Sequence, residues 1–148
     1  MGKLFRKTLL KTDAASCWDF FSSPANLSKI TPSEMSFVIK DYDGKKMYEG
    51  QRISYTVKPL LGIPLSWLTE IRSVKDKSEF VDVQLRGPYK IWHHRHIFKE
   101  VEGGIEMIDM VHYKLPFGLL GKLMEKLIVK GKVERIFDYR EKVIQDAF

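Results

Sequence analysis

The chain contains one cysteine, Cys17, and no apolar run of the roughly 18 to 20 residues that a membrane-spanning helix needs. A lone cysteine excludes an intramolecular disulfide and fits a reducing compartment. No zinc-finger spacing, glycine-rich phosphate loop or serine-nucleophile elbow occurs, so the motifs of nucleotide-dependent and triad chemistry are missing. The start, Met1-Gly2-Lys3-Leu4-Phe5-Arg6-Lys7, lacks the apolar centre of a signal peptide. Repeats and low-complexity stretches are also missing. The expectation is a cytoplasmic protein without a transmembrane segment and without a cofactor.

With 148 residues, the chain suits a single domain, 1–148, able to bury a core and to enclose a cavity. A hydrophobic content of 44% beside 30% charged residues describes an ordinary globular protein. The 25 Lys and Arg exceed the 19 Asp and Glu, for a formal charge of +6. Such a surface is compatible with peripheral contact with anionic lipid. The charges are spread along the chain and no nucleic-acid motif accompanies them, so no nucleic-acid partner is expected.

Hydrophobic periodicity divides the chain into three zones. Lys3 to Lys11 reads as a first strand. Thr12 or Asp13 offers an N-cap, and Ala14, Cys17, Trp18 and Phe21 form the stripe of a short helix. Pro24 opens a second short helix through Leu27 and Ile30, ending near Thr31-Pro32. Cys17 falls on the apolar stripe and reads as a core residue. From Phe37 the period becomes two. Strands are expected at Phe37-Ile39, Gln51 to Val57, Leu65 to Ile71, Glu79 to Leu85, Pro88 to Phe98 and Ile105 to Tyr113. After Pro116 the helical period returns. Leu120, Leu123, Leu127, then Ile136, Phe137, Arg140, Val143 and Ile144 mark one long helix, with Gly131 inside it to allow a bend or a close approach to the sheet. Strand, two short helices, an antiparallel meander and a long helix make an α+β chain with segregated layers.

The last two strands carry the chemistry. Residues two apart on a strand share a face, so Trp92, His94, His96, Phe98, Met107, Asp109, Val111 and Tyr113 all lie on one face of a hairpin. A tight turn at Glu102-Gly103 would set Phe98 opposite Met107, His96 opposite Asp109, His94 opposite Val111 and Trp92 opposite Tyr113. His93 and His112 have the other parity and should point away. A dry core excludes imidazoles and a carboxylate unless they are paired, whereas a ligand cavity combines apolar walls with a few polar groups.

Several segments together resemble the START/SRPBCC superfamily, in particular its bacterial branch of ligand-binding, polyketide cyclase/dehydrase-like proteins. They are Trp18-x-x-Phe21 with Pro24, Leu27 and Thr31-Pro32; Gly62-Ile63-Pro64-Leu65-x-Trp67; Gly87-Pro88; Trp92-x-His94-x-His96-x-Phe98; Gly104; Asp109-x-Val111-x-Tyr113-x-x-Pro116; and Ile136-Phe137-x-Tyr139-Arg140. The resemblance covers essentially the whole chain. It implies a helix-grip fold, with a curved antiparallel sheet of about six to seven strands wrapped on the C-terminal helix. It also implies a cavity for a lipid, sterol, polyketide or similar hydrophobic molecule, in a carrier or in an enzyme.

The expected ligand-binding residues are Tyr55, Trp67, Trp92, His94, His96, Phe98, Met107, Asp109, Val111, Tyr113 and Phe137. For His94 and His96 three readings stay open: structural pairing across the hairpin, polar pocket groups, or a metal site completed by Asp109. No further His or Cys is placed to complete such a site, so no metal is expected. Asp109 needs a partner, and His96 or Arg140 can supply it. His96 held by Asp109 is the candidate catalytic pair of a cyclase or dehydratase. The apolar loop Lys58 to Pro64 reads either as a cap over the cavity mouth or as a surface buried against another subunit or the helix. The lysines of Lys126 to Lys132 read as a snorkelling, solvated face ahead of a membrane anchor. The leading reading is a carrier of a small hydrophobic molecule, followed by an enzyme and by a membrane-facing lipid or quinone chaperone.

Overall fold

The computed structural model describes residues 1–58 and 62–148. The centre of the expected mouth-capping loop, residues 59–61, lies outside the described residues. Strand β1 (Gly2–Leu10) buries Leu4, Thr8 and Leu10 and exposes Lys3, Phe5, Lys7 and Leu9, the period of a strand with one covered face. Helix α1 (Ala14–Phe21) starts where the Asp13 carboxylate accepts from the Ser16 N–H at 2.7 Å, which satisfies one orphan donor of the first turn. It buries Cys17 and Phe21. Burial pushes the Cys17 thiol up to about 12, with the Asp13 charge adding to it, so Cys17 is a core residue and not a nucleophile. The second expected helix is a 3₁₀ segment, Pro24–Ile30, followed by a 3₁₀ turn at Ser33–Met35.

Six strands follow: β2 (Val38–Asp41), β3 (Arg52–Val57), β4 (Leu65–Lys75), β5 (Glu79–Arg86), β6 (Ile91–Val101) and β7 (Gly104–Lys114). Each pairs antiparallel with the next, and β1 pairs with β7, so the sheet order is β1-β7-β6-β5-β4-β3-β2. The β6–β7 register is the expected one: Phe98 opposes Met107, His96 opposes Asp109, His94 opposes Val111 and Trp92 opposes Tyr113. Gly103 supplies the positive φ, 89°, that the two-residue turn demands. β4 shifts register against β5 at Leu68/Thr69 and again at Ile71/Ser73. Such irregularities bend a strand, and here they help the sheet curl around the helical layer.

That layer is the expected long helix, continuous from Gly118 to Ala147 but with a π-helical turn inside it: α2 (Gly118–Met124), the π turn at Glu125–Val129, and α3 (Lys130–Ala147). Val133, Phe137, Arg140 and Ile144 form the buried stripe of α3, at spacings of four, three and four residues. Leu120, Leu123 and Leu127 are exposed. The sequence contains two stripes out of phase, and the π turn separates them. Arg6 of β1 reaches up to Asp138 at 2.5 Å and Glu141 at 3.5 Å, seating α3 over the β1 end of the sheet. The fold is α+β of the helix-grip kind.

The core lies between sheet and helix in two clusters. One gathers Leu10, Cys17, Phe21, Phe80, Phe98, Met107 and Ile144 beneath α1. The other packs Leu4, Val111 and Tyr113 against Val133 and Phe137. The close approach expected at Gly131 belongs instead to Gly121. A Cβ at Gly121 would lie 1.8 Å from the Pro116 carbonyl oxygen, whereas one at Gly131 meets nothing within 4 Å. Gly121→Ala is expected to cost roughly 1–3 kcal/mol or more through overpacking. Gly131→Ala is expected to stabilise by up to about 1 kcal/mol. Urea denaturation of the two variants reads this difference, and equal effects would show that the Pro116 contact does not fix where the helix begins.

Candidate functional site

A cavity of about 300 Å³ lies between the concave face of β3–β6 and the helical layer. That is roughly ten times the volume a water molecule occupies in the liquid. Strand parity builds its walls. Ile53, Tyr55 and Val57 of β3, Leu65, Trp67, Thr69 and Ile71 of β4, Phe80 and Asp82 of β5, and Trp92, His94 and His96 of β6 all face inward. From above come Met124, Val129, Val133, Phe137 and Arg140. The wall is mostly apolar, and the polar groups converge at one end.

Of the residues expected from sequence, Tyr55, Trp67, Trp92, His94, His96 and Phe137 line the cavity. Phe98, Met107, Val111 and Tyr113 do not. Phe98 and Met107 pack under α1, and Val111 and Tyr113 are covered by Val133 and Phe137 of α3. Helix α3 sits directly over β1 and β7, so it fills the space above those strands. Asp109 is buried behind His94 and contributes through that side chain. His93 and His112 face the other side of the sheet, ring centroids 6.4 Å apart.

The pairing differs from the expected one. His94 Nε2 donates to Asp109 Oδ1 at 2.7 Å, while His96 lies 3.6 Å from that oxygen through Nδ1. His96 Nε2 instead donates to Asp82 Oδ2 at 2.5 Å. Asp82 is the residue that sequence reading passed over, because the Val81, Val83, Leu85 parity of its strand is the more apolar one. The β5–β6 register sets Asp82 opposite His94 and Phe80 opposite His96, which brings Asp82 onto the imidazole face. Arg140 closes the group: its Nη2 lies 3.4 Å from His96 Nδ1 and 3.7 Å from Asp109 Oδ1. The two imidazoles stack at 3.6 Å between centroids, and Phe80 stacks on His96 at 3.9 Å.

A guanidinium only donates, so the Arg140 contact assigns His96 Nδ1 as an acceptor and its Nε2 as the protonated nitrogen. His96 is therefore neutral. Burial and the neighbouring His94 lower its pKa to about 4 against the pull of Asp82. Burial opposes the charge on Asp82, but the His96 hydrogen bond and the Arg140 charge help to hold its carboxyl below the usual range. Burial likewise opposes charge on Asp109, and Arg140 with His94 overcomes it. The nitrogens of His94 and His96 and an oxygen of Asp82 lie within 4.8 Å of one another, a spacing open to a metal ion. Both imidazoles already donate to carboxylates and the Arg140 cation borders them, so the group reads as a self-neutralising polar cluster. Two further buried donors, Trp67 Nε1 and Arg140 Nε, have no hydrogen-bond partner among the described residues. Both belong to side chains on the cavity wall.

No family model matches the chain, and no curated protein matches it in sequence. Solved structures do share its fold. The protein Ms6760 from Mycobacterium smegmatis is 16% identical with a TM-score of 0.72, over 98% of this chain and 89% of that one. The major latex-like protein 151 from Panax ginseng is 14% identical with a TM-score of 0.70, over 99% of this chain and 96% of that one. A nucleoside-diphosphate sugar epimerase from Corynebacterium glutamicum contains the fold as a part: 17% identity and a TM-score of 0.65 over 97% of this chain but 28% of that one. At these identities the likeness is one of fold.

The neutral, buried His96 makes stability depend on pH. Its folded pKa of about 4 lies below the ordinary imidazole value of 6.5, so the unfolded chain takes up the proton first as pH falls. Unfolding free energy is expected to drop between about pH 6.5 and about pH 4, by on the order of 3 kcal/mol. The depressed Asp82 and Asp109 extend the loss below about pH 4, where unfolded carboxylates protonate first. Urea titrations across this range check it: His96→Gln should flatten the upper part of the slope, and an unchanged slope would show that His96 is not buried neutral.

Proposed function

We propose that the chain binds a small, largely apolar molecule bearing at least one oxygen acceptor, a lipid-, polyketide- or quinone-like compound, and carries it between sheet and helix. The observation that supports this reading is the apolar cavity with buried, unpartnered donors on its wall, Trp67 Nε1 and Arg140 Nε. An unmade buried hydrogen bond costs about 1–3 kcal/mol, and a ligand oxygen would recover it. The aromatic wall of Tyr55, Trp67, Trp92 and Phe137 would supply affinity at roughly 25 cal/mol per Å² of buried apolar surface, before the entropic cost of binding. Fold-level likeness to a plant major latex-like protein fits the same reading.

Mass spectrometry of an organic extract from folded protein, beside a denatured control, is expected to return a stoichiometric hydrophobic compound. Calorimetry with naphthalene and acetonaphthone resolves the donors. Trp67→Phe keeps the aromatic wall and removes the N–H, so it should weaken the ketone by about tenfold and leave the hydrocarbon unchanged. Trp92→Ala should weaken both. A folded protein in which neither substitution alters either affinity would place binding elsewhere.

The His94–Asp109 pair supports a second reading, a cyclase- or dehydratase-type enzyme. An imidazole on the cavity wall, held through Nε2 by a buried carboxylate, has the orientation of a general base, with Nδ1 left to take a proton from an activated carbon. On this reading His94, not His96, is the base, since His96 is engaged by Asp82 and Arg140. His94→Gln should abolish turnover of a polyketide-like substrate while binding survives; undiminished turnover would end this reading.

A further inference from the structure

The segment after β7 exposes an apolar surface that neither the core nor the cavity accounts for. Phe117, Leu119, Leu120, Leu123, Leu127 and Ile128 are 41% to 87% exposed. Gly121, Met124 and Val129 of the same segment face the cavity. The segment is thus apolar on both sides, a pattern found where a helix is buried or meets lipid, yet it covers nothing with its outer side. Six large apolar residues exposed within twelve positions are the kind of surface that marks an interaction site on a soluble protein.

The patch rims the cavity mouth. Phe117 is 77% exposed and also lines the cavity, and so does Leu65 at 36%, on the opposite lip, with Ile63 beside it at 54%. The charges around the patch are predominantly positive. Residues 114–132 carry Lys114, Lys122, Lys126, Lys130 and Lys132 against a single acid, Glu125. Apolar residues interleaved with exposed lysines match the boundary of an anionic bilayer, where side chains insert and ammonium groups meet headgroups. A second copy of the chain fits less well, because a two-fold interface through this patch would bring two lysine-rich surfaces together.

We propose that Phe117–Ile128 seats the protein on an anionic membrane surface, with the cavity mouth turned to the lipid. The proposal goes beyond ligand binding and stands whether or not the cavity is loaded.

The test is co-sedimentation of the full chain with vesicles of phosphatidylcholine alone and of phosphatidylcholine mixed with phosphatidylserine. Binding is expected on the anionic vesicles and far less on the neutral ones. Each lysine near the surface is worth roughly fivefold in partitioning, so Lys122→Gln with Lys126→Gln should weaken it about thirtyfold. Raising salt from about 0.1 M to about 1 M, which shortens the screening length from about 10 Å to about 3 Å, should act in the same direction. Leu119→Ser with Leu123→Ser alters exposed positions, which spares folding, and should also release the protein. No partition onto anionic vesicles, or partition unchanged in both double variants, would overturn the proposal. A dimer that the double leucine variant converts to monomers, without vesicle binding, would overturn it in favour of a second copy. Ligand affinity for acetonaphthone is a separate readout, so either conclusion can fail without the other.

Discussion

Two carboxylates, Asp109 fully buried and Asp82 half-buried, sit where sheet and helix meet, and their pairing organises the molecule. An unpaired buried charge costs several kcal/mol, so Asp82 and Asp109 can stay ionised only if their partners are held in place. His94 and His96 come from the strand between them, and Arg140 comes from the helix. Arg140 therefore helps to fix the rotation of α3: the turn that brings its guanidinium to Asp109 also brings Val133, Phe137 and Ile144 onto the sheet. Polar pairing and apolar burial agree on one orientation, which is what makes a packing arrangement unique.

The same cluster keeps the cavity from collapsing. Its carboxylates and imidazoles are paired with one another, with only Arg140 Nε left over, so the sheet can curve away from the helix without leaving a carboxylate unpaired in an apolar void. Apolar rings complete the walls on the β3–β4 side, where Tyr55 stacks on Trp67 and Trp67 meets Trp92 edge-on. Large flat side chains braced against each other can bound a space that flexible aliphatic ones would fill.

The hairpin was legible from alternation alone, because a two-residue glycine turn leaves little freedom in register: Trp92, His94, His96, Phe98 and their four partners all pair as the parity requires. The antiparallel meander was legible from the same alternation, the helix-grip arrangement only through the family resemblance, and the pairing of β1 with β7 was not anticipated. The exchange of partners between His94 and His96 was not legible. Opposed residues are set by backbone register, but which side-chain nitrogen reaches which oxygen depends on a third strand, whose Asp82 lay on the less apolar parity. The turn inside the long helix was also hidden. Leu120, Leu123 and Leu127 fit a helical period as well as Val133, Phe137 and Ile144 do, and periodicity does not reveal that the two stripes are out of phase across the π turn. Nor does the hairpin face distinguish wall from core; that depends on where α3 lies, which leaves Val111 and Tyr113 covered and Trp92 and His94 open.

The pairing of β1 with β7 has a consequence for how the chain acquires its structure. Gly2 pairs with Tyr113 and Leu10 with Ile105, so β1 must wait for β7, the last strand in chain order. The meander from β2 to β7 joins only sequence neighbours and can assemble as it is made, whereas closing β1 onto it spans about a hundred residues and carries the entropy of that loop. Until then β7 is an open edge, with its unpaired amides facing outward beside Asp109. Completion of the sheet and burial of the ionic cluster thus wait until β7, and then α3 with Arg140, have been made.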